Sequence, residues 1–309
     1  MRFLASVLIL LAAGFVHADD STVNDSATSK SKVPAAGTST RKDIDEEITN
    51  AKLRASTGSK SLFSMQSEFD YIGGSVNSPL AAERPTLTPG TVGADDVKLT
   101  GKISGKYRMT DHDNINLGIG VGWTKPFHNE TPGPKQQGQH GQIENPYVGY
   151  TRLFKTGPIQ NVISATGFYF TADKNVNVEK LSSEGDIDWN FLYTVGNSKL
   201  QIGVDVAYGH EFYSQDMAGT GSPVESIGAD PYAEYALSDR YTLRTVYNGG
   251  NFYNVAGNEA TFVRDAQQQS LGLGVSLTRD IYLYPNLQWV WADMRSDKTN
   301  VALYAYINL

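Results

Sequence analysis

The sequence contains no cysteine. An exported protein without disulfides must be stabilised by its core, by assembly or by a lipid environment. The missing thiols also exclude thiol catalysis and zinc–thiolate sites. Basic residues are outnumbered by acidic ones, 26 against 33, which argues against a nucleic-acid-binding protein because such proteins need a basic face. The residues predict no cofactor and no metal site.

Long apolar runs are missing beyond residue 18. The first residues, MRFLASVLILLAAGFVHA, combine Arg2, an apolar run and the small-residue ending Val16-His17-Ala18. This pattern predicts a secretory signal peptide over residues 1–18. The run is too short for a spanning helix, which needs about 20 apolar residues. Helical membrane proteins are thus excluded, whereas soluble exported proteins and outer-membrane barrels remain.

Residues 19–60 are rich in Ser, Thr and Lys and poor in large apolar groups. Such a segment cannot bury enough surface to offset its chain entropy, so we predict a disordered periplasmic segment. Within it, KDIDEEITNAKLRAS predicts one short helix with Ile44, Ile48 and Ala51 on one face. The helix could lie inside a pore, dock at its mouth or be solvated. We favour solvation, because isolated short helices are marginal in water.

From residue 61 onward, apolar side chains recur with a period of two. In VKLTGKISGKYRM, for example, Leu99 and Ile103 alternate with Lys98 and Lys102. We predict twelve strands, most of them close to the ~9–11 residues that a tilted strand needs to cross a bilayer. The predicted spans are 61–72, 97–109, 115–124, 143–153, 161–171, 187–195, 200–212, 226–236, 241–249, 269–277, 281–291 and 300–309.

The connections between these strands alternate between long and short along the whole chain. This order is typical of an up-and-down antiparallel transmembrane barrel, with short periplasmic turns and long extracellular loops. The barrel must be closed, because no water is present in lipid to satisfy a free sheet edge. Pro146, Pro231 and Pro285 lie within predicted strands, and we expect β-bulges at those points.

Residues 61–309 therefore resemble the bacterial outer-membrane β-barrel class in architecture. The final NVALYAYINL is similar to the closing strand that barrel-assembly machinery recognises, although it ends in Leu309 rather than an aromatic residue. The resemblance implies an outer-membrane location, with membrane lipid and the assembly machinery as partners. No motif ties the chain to one family of porins or enzymes.

The predicted lumen face carries charges of both signs. The basic stripe, on the second strand, comprises Lys98, Lys102, Lys106 and Arg108, with Glu68 and Asp70 beside it. The acidic stripe, on the sixth to eighth strands, comprises Asp188, Asp205, Glu211, Asp230 and Glu234. Opposed stripes would set a transverse field across a water-filled channel. Alternatively, the same charges form ion pairs that fill the lumen of a narrow barrel.

Three functions are compatible with this pattern. The favoured one is a channel for passive diffusion of small polar or charged solutes. The second is a closed or plugged barrel that binds partners through loops 73–96, 125–142 and 250–268. The third is a hydrolase at the barrel rim using His210 with Ser214, which is disfavoured because the two residues are ~13 Å apart along an extended strand.

Overall fold

A computed structural model describes residues 50–57, 61–87, 94–128, 140–217, 220–249, 252–264 and 267–309. Its elements are α1 (Ala51–Thr57), β1 (Phe63–Ser75), β2 (Glu83–Pro85), β3 (Ala94–Asp96), β4 (Lys98–Arg108), β5 (Asp113–Thr124), β6 (His140–Thr156), β7 (Ile159–Tyr169), β8 (Leu181–Thr194), β9 (Leu200–Tyr213), β10 (Pro223–Ala236), β11 (Tyr241–Asn248), β12 (Phe252–Val255), β13 (Asn258–Arg264), β14 (Gln268–Ser276), β15 (Ile281–Val290) and β16 (Asn300–Asn308). A π-helical turn covers Lys174–Val178 and a 3-10 turn covers Trp291–Asp293. Within the described ranges, no helix is long and apolar enough to cross a membrane.

Twelve long strands form a closed antiparallel barrel, as predicted. Each pairs with its neighbour along the chain, and β16 closes the ring against β1. The short connections, such as β6–β7 and β8–β9, meet at one end of the barrel, which we call the short-turn end. The opposite end is the long-loop end. The strand ends differ from prediction most at β8, which begins at Leu181 rather than at residue 187. The prediction missed the first residues, LSSEGD, because they show no apolar alternation.

The two faces of the sheet differ in polarity along every well-patterned strand. On β5, Leu117 is 70% exposed on the outer surface, whereas Asn114 on the inner face is 2% exposed. Residues directly opposite each other in an antiparallel pair share a face. The strand register therefore shows which residues of every other strand face inward and which face outward. The barrel thus presents mainly apolar side chains outward and carries most of its charged side chains on the inner face, the reverse of a soluble protein.

The three strand prolines are accommodated in two ways. At Pro146 the predicted bulge is confirmed: Gly118 lies opposite Tyr147 while Gly120 lies opposite Glu144, and Asn145 has a φ of 50°. The bulges predicted at Pro231 and Pro285 are absent from the described register. Pro231 instead precedes the point where pairing with β11 begins, and Pro285 falls in a gap of the β14–β15 ladder. A ladder that is interrupted there needs no donor from proline.

The long connection predicted over residues 250–268 contains a β-hairpin that the sequence pattern did not predict. Phe252 pairs with Arg264 in β12–β13, so this ribbon extends the β11–β14 hairpin beyond the barrel to a turn at Gly257, which has a φ of 81°. The sequence period was hidden because β13 is exposed along its whole length, with no apolar face to mark it. The first long connection also contains a hairpin, β2–β3.

Candidate channel lumen

Cross-strand pairing places all the sequence-predicted charges on the inner face. One row of the register runs from Glu68 through Lys102 and Gly120 to Glu144. Beyond the bulge it continues from Tyr147 through Phe168 to Glu184 and Glu211. A second row joins Asn190, Asp205 and Asp230. By the same pairing, Lys98, Lys106, Arg108, Asp188, Glu234 and Asp70 lie on this face as well.

The short-turn half of the lumen is occupied by α1. Asn50 caps the helix, accepting a hydrogen bond on Oδ1 from the Leu53 amide at 3.1 Å. The Nδ2 group of Asn50 donates to Glu234 at 2.7 Å and to Gln201 at 3.0 Å, both on the barrel wall. Leu53 is 6% exposed and forms one buried cluster with four side chains of the inner wall, Leu153, Val162, Leu192 and Tyr232, against which Val246 also packs.

The opposite side of α1 also packs against the barrel wall. Ala55 is fully buried against Tyr282 and Tyr284. Lys106 Nζ donates to the Thr57 carbonyl at 2.7 Å, which places a cation at the helix C-terminus where the free carbonyls favour it. The favoured interpretation of a solvated helix is therefore wrong for residues 51–57, whereas Ile44 and Ile48 lie outside the described residues.

A buried ion pair lies in the same half of the barrel. Arg244 on β11 donates to Glu234 on β10, and each side chain is 4% exposed. The Arg244 guanidinium also lies over the rings of Tyr232 at 4.3 Å and Tyr284 at 5.7 Å. These two charges are paired with each other within the lumen, so the filled-lumen interpretation applies to the short-turn half.

A chamber of about 480 Å³ lies beside α1, is bordered by Arg244 and Tyr284, and extends into the long-loop half. Lys52 of α1 lines one side, and Arg84 and Leu87 of the first long connection line another. An Arg84–Asp95 ion pair at 3.5 Å joins the two strands of the β2–β3 hairpin, and a hydrogen bond from Asn300 to the Pro85 carbonyl at 3.4 Å fixes the hairpin to β16. Asp205 and Asp230, predicted for the acidic stripe, face this chamber beside Tyr304 and Tyr306.

The predicted basic stripe is divided between the two halves. Lys106 holds the helix, and Arg108 bonds the Thr110 carbonyl at 3.1 Å in the following turn. Lys98 and Lys102 are exposed side chains on the lumen face. Lys102 is close enough to interact electrostatically with carboxylates on both sides of the lumen: Asp70, Glu184, Asp186 and Asp188. The charged groups near Lys102 are therefore mainly acidic.

Sequence reasoning missed the tyrosine wall and two cations. Tyr282 and Tyr284 on β15 lie opposite Tyr306 and Tyr304 on β16, all on the inner face. Their spacing of two residues in YLYPN and LYAYI is the signal that indicates a shared face. Arg244 was overlooked although it lies directly opposite Glu234. Nothing in the sequence indicates that Lys52 lines the lumen, because its position depends on how α1 docks.

The rim residues considered for hydrolysis are not assembled as a nucleophile and base. The Ser214 hydroxyl donates to the Lys180 carbonyl at 3.1 Å. His210 Nδ1 lies 3.7 Å from Glu225 Oε1, and the register places it on the outer face, next to inward-facing Gly209. Among the described residues, no group of three or more His, Asp or Glu side chains is arranged to hold a metal ion.

Comparison with known proteins identifies the fold and nothing finer. No family model and no curated protein matches the sequence. Among solved structures, an outer-membrane channel from Pseudomonas putida F1 superimposes with a TM-score of 0.52 at 9% identity, covering 81% of this chain and 97% of the channel. The NanC porin gives a TM-score of 0.43 at 9% identity, covering 79% and 98%. The chain has the closed twelve-stranded fold of outer-membrane channels.

Proposed function

We propose that the protein is an outer-membrane channel for small polar or charged solutes, closed at its short-turn end by α1 in the resting state. The observation that carries the proposal is the chamber within an apolar-surfaced barrel, lined by Asp205, Asp230 and Lys52. A barrel that served only as a scaffold would be expected to fill this space with packed side chains. The chamber supports a solute path through the long-loop half.

The proposed location and orientation follow from the same architecture. A signal peptide over residues 1–18 delivers the chain to the envelope, and the barrel inserts with its short turns toward the periplasm. In this orientation α1 lies in the periplasmic half of the lumen. The long loops, including the β12–β13 ribbon, face outward.

The charge balance of the lumen favours cations in the long-loop half. The carboxylates there are Glu68, Asp70, Glu144, Glu184, Asp186, Asp188, Asp205, Glu211 and Asp230, facing the ammonium groups of Lys52, Lys98 and Lys102. The two guanidinium groups that line the chamber, Arg84 and Arg244, are paired with Asp95 and Glu234. Charged side chains lining a pore set its ion selectivity. Of the basic stripe predicted from sequence, only Lys98 and Lys102 contribute to a transverse field in this half, and they face a larger set of carboxylates.

Replacing Lys102 by glutamate tests this proposal in planar bilayers. With residues 19–57 deleted to remove α1, the barrel should carry current with a reversal potential favouring cations in a salt gradient, and adding Lys102→Glu should move that potential further in the cation direction. Lys199→Glu, in an exposed short turn, changes the net charge equally and should leave the potential unmoved. Absence of any current, with α1 in place or removed, would overturn the channel; an unmoved potential in Lys102→Glu would overturn the role of Lys102.

One observation favours a permanently closed barrel as a second candidate. The Glu234–Arg244 pair and α1 together occupy the short-turn half, so solutes have no described path past them in this state. The two candidates differ in what happens when α1 is removed: a channel opens, whereas a structural barrel remains nonconducting.

A further inference from the structure

The ammonium group of Lys102 lies in an aromatic recess on the lumen wall. Its Nζ is 4.7 Å from the ring centroid of Phe168 and 5.8 Å from that of Tyr147. The two rings are cross-strand neighbours with centroids 5.5 Å apart, inclined at 38°. A cation within about 6 Å of an aromatic face is attracted by the ring quadrupole. The recess is thus already a site for an ammonium group.

Two backbone features build this recess. The bulge at Asn145 and Pro146 changes the parity of β6, so that both Glu144 and Tyr147 face the lumen. Gly118 then leaves room for the Tyr147 ring, because a Cβ at position 118 would lie 2.6 Å from Tyr147 Cζ. The recess therefore depends on a bulge and a glycine that the strand pairing alone does not require.

Carboxylates of the described strands lie around the recess but form no close ion pair with Lys102. Glu184 lies opposite Phe168 on β8, followed on the same face by Asp186 and Asp188. All three interact electrostatically with Lys102. In the part of the chain that the structure describes, however, none forms an ion pair with Lys102 within 4 Å. The Lys102 side chain is also exposed to the lumen, so its ammonium group is free to exchange.

We infer that this recess, formed by Phe168, Tyr147 and the acidic side chains of β8, is a binding site for the alkylammonium group of a solute. Lys102 is its tethered occupant, which an incoming amine displaces. Aromatic faces combined with carboxylates recognise ammonium groups and reject anions and neutral molecules of the same shape. The inference rests on the proposed channel and names its solute class as organic amines.

Lys102→Met tests the inference by emptying the recess while keeping an unbranched apolar stem. The probe is n-butylammonium, which reproduces the whole lysine side chain, with 1-butanol as its neutral counterpart. Ligand-observed NMR titration of detergent-solubilised, full-length mature protein gives the dissociation constants. Lys102→Met should bind n-butylammonium at least tenfold more tightly than wild type and should show no comparable gain for 1-butanol.

A second variant distinguishes binding to the Phe168 ring from electrostatic attraction by the carboxylates of the lumen. In the Lys102→Met background, Phe168→Leu retains apolar bulk without the ring and should weaken n-butylammonium binding several-fold. Heat-dependent migration on detergent gels verifies that each variant is folded. Equal binding by wild type and Lys102→Met, equal gains for the amine and the alcohol, or no effect of Phe168→Leu would each overturn the inference.

The binding assay requires no ion flow, which keeps the two proposals distinguishable. A protein that binds n-butylammonium as described but carries no current, even without α1, has the recess and is not a channel. A protein that conducts but fails the titration is a channel whose recess does not recognise amines.

Discussion

Deleting residues 19–57, with the signal peptide retained for export, is expected to raise single-channel conductance several-fold. The deletion removes Leu53 and Ala55, whose side chains fill the space between opposite walls of the short-turn half. It also frees Glu234, Gln201 and Lys106 from their hydrogen bonds to the helix. Because the walls lined by these residues belong to a closed barrel, the vacated volume should fill with water.

A shorter deletion supplies the matched control. Removing residues 19–49 leaves Asn50 and α1 intact, so the N-cap and the wall contacts can form as before. Planar-bilayer recordings should give wild-type conductance for this variant and the high conductance for the longer deletion. Equal conductance of the two truncated proteins would show that α1 does not close the path.

Arg244→Met is expected to lower the free energy of unfolding by about 3–5 kcal/mol. The substitution leaves Glu234 buried without its cation, and breaking a buried pair from one side carries a penalty of this order. It also removes the guanidinium from the faces of Tyr232 and Tyr284. Urea titration of the protein in detergent, followed by heat-dependent migration on gels, measures the loss.

The control for this prediction is Arg295→Met in the connection before β16. Arg295 is 57% exposed and pairs with Asp293 at 2.9 Å, so its removal should cost no more than about 1 kcal/mol. The double variant Arg244→Met with Glu234→Gln should recover part of the loss, because no unpaired charge is then buried. Similar losses for Arg244→Met and Arg295→Met would contradict the structural importance assigned to the buried pair.

The barrel could be predicted from sequence because one physical constraint acts on every strand. Alternation such as Leu99, Ile103 and Tyr107 against Lys98, Lys102 and Lys106 is required wherever one face meets lipid and the other meets polar groups. The same parity placed each predicted charge on its face, since cross-strand pairing leaves no freedom once the strand ends are known.

The contents of the barrel were not predictable in the same way. A helix of seven residues is too short to be stable alone, and α1 exists because Leu53 and Ala55 find partners on opposite walls. The aromatic recess depends on a local bulge, which moves Tyr147 to the inner face against the simple period. Both features arise from tertiary contacts that a periodic pattern does not encode.

Thiol accessibility tests the central claim, that the charged face encloses water and the apolar face meets lipid. The natural sequence has no cysteine, so each single-cysteine variant reports on one position. In outer-membrane vesicles, a water-soluble maleimide should label Lys102→Cys and Asp205→Cys rapidly and leave Ile119→Cys and Val204→Cys unlabelled. Labelling of the cysteines at positions 119 and 204, with protection of those at 102 and 205, would contradict the account.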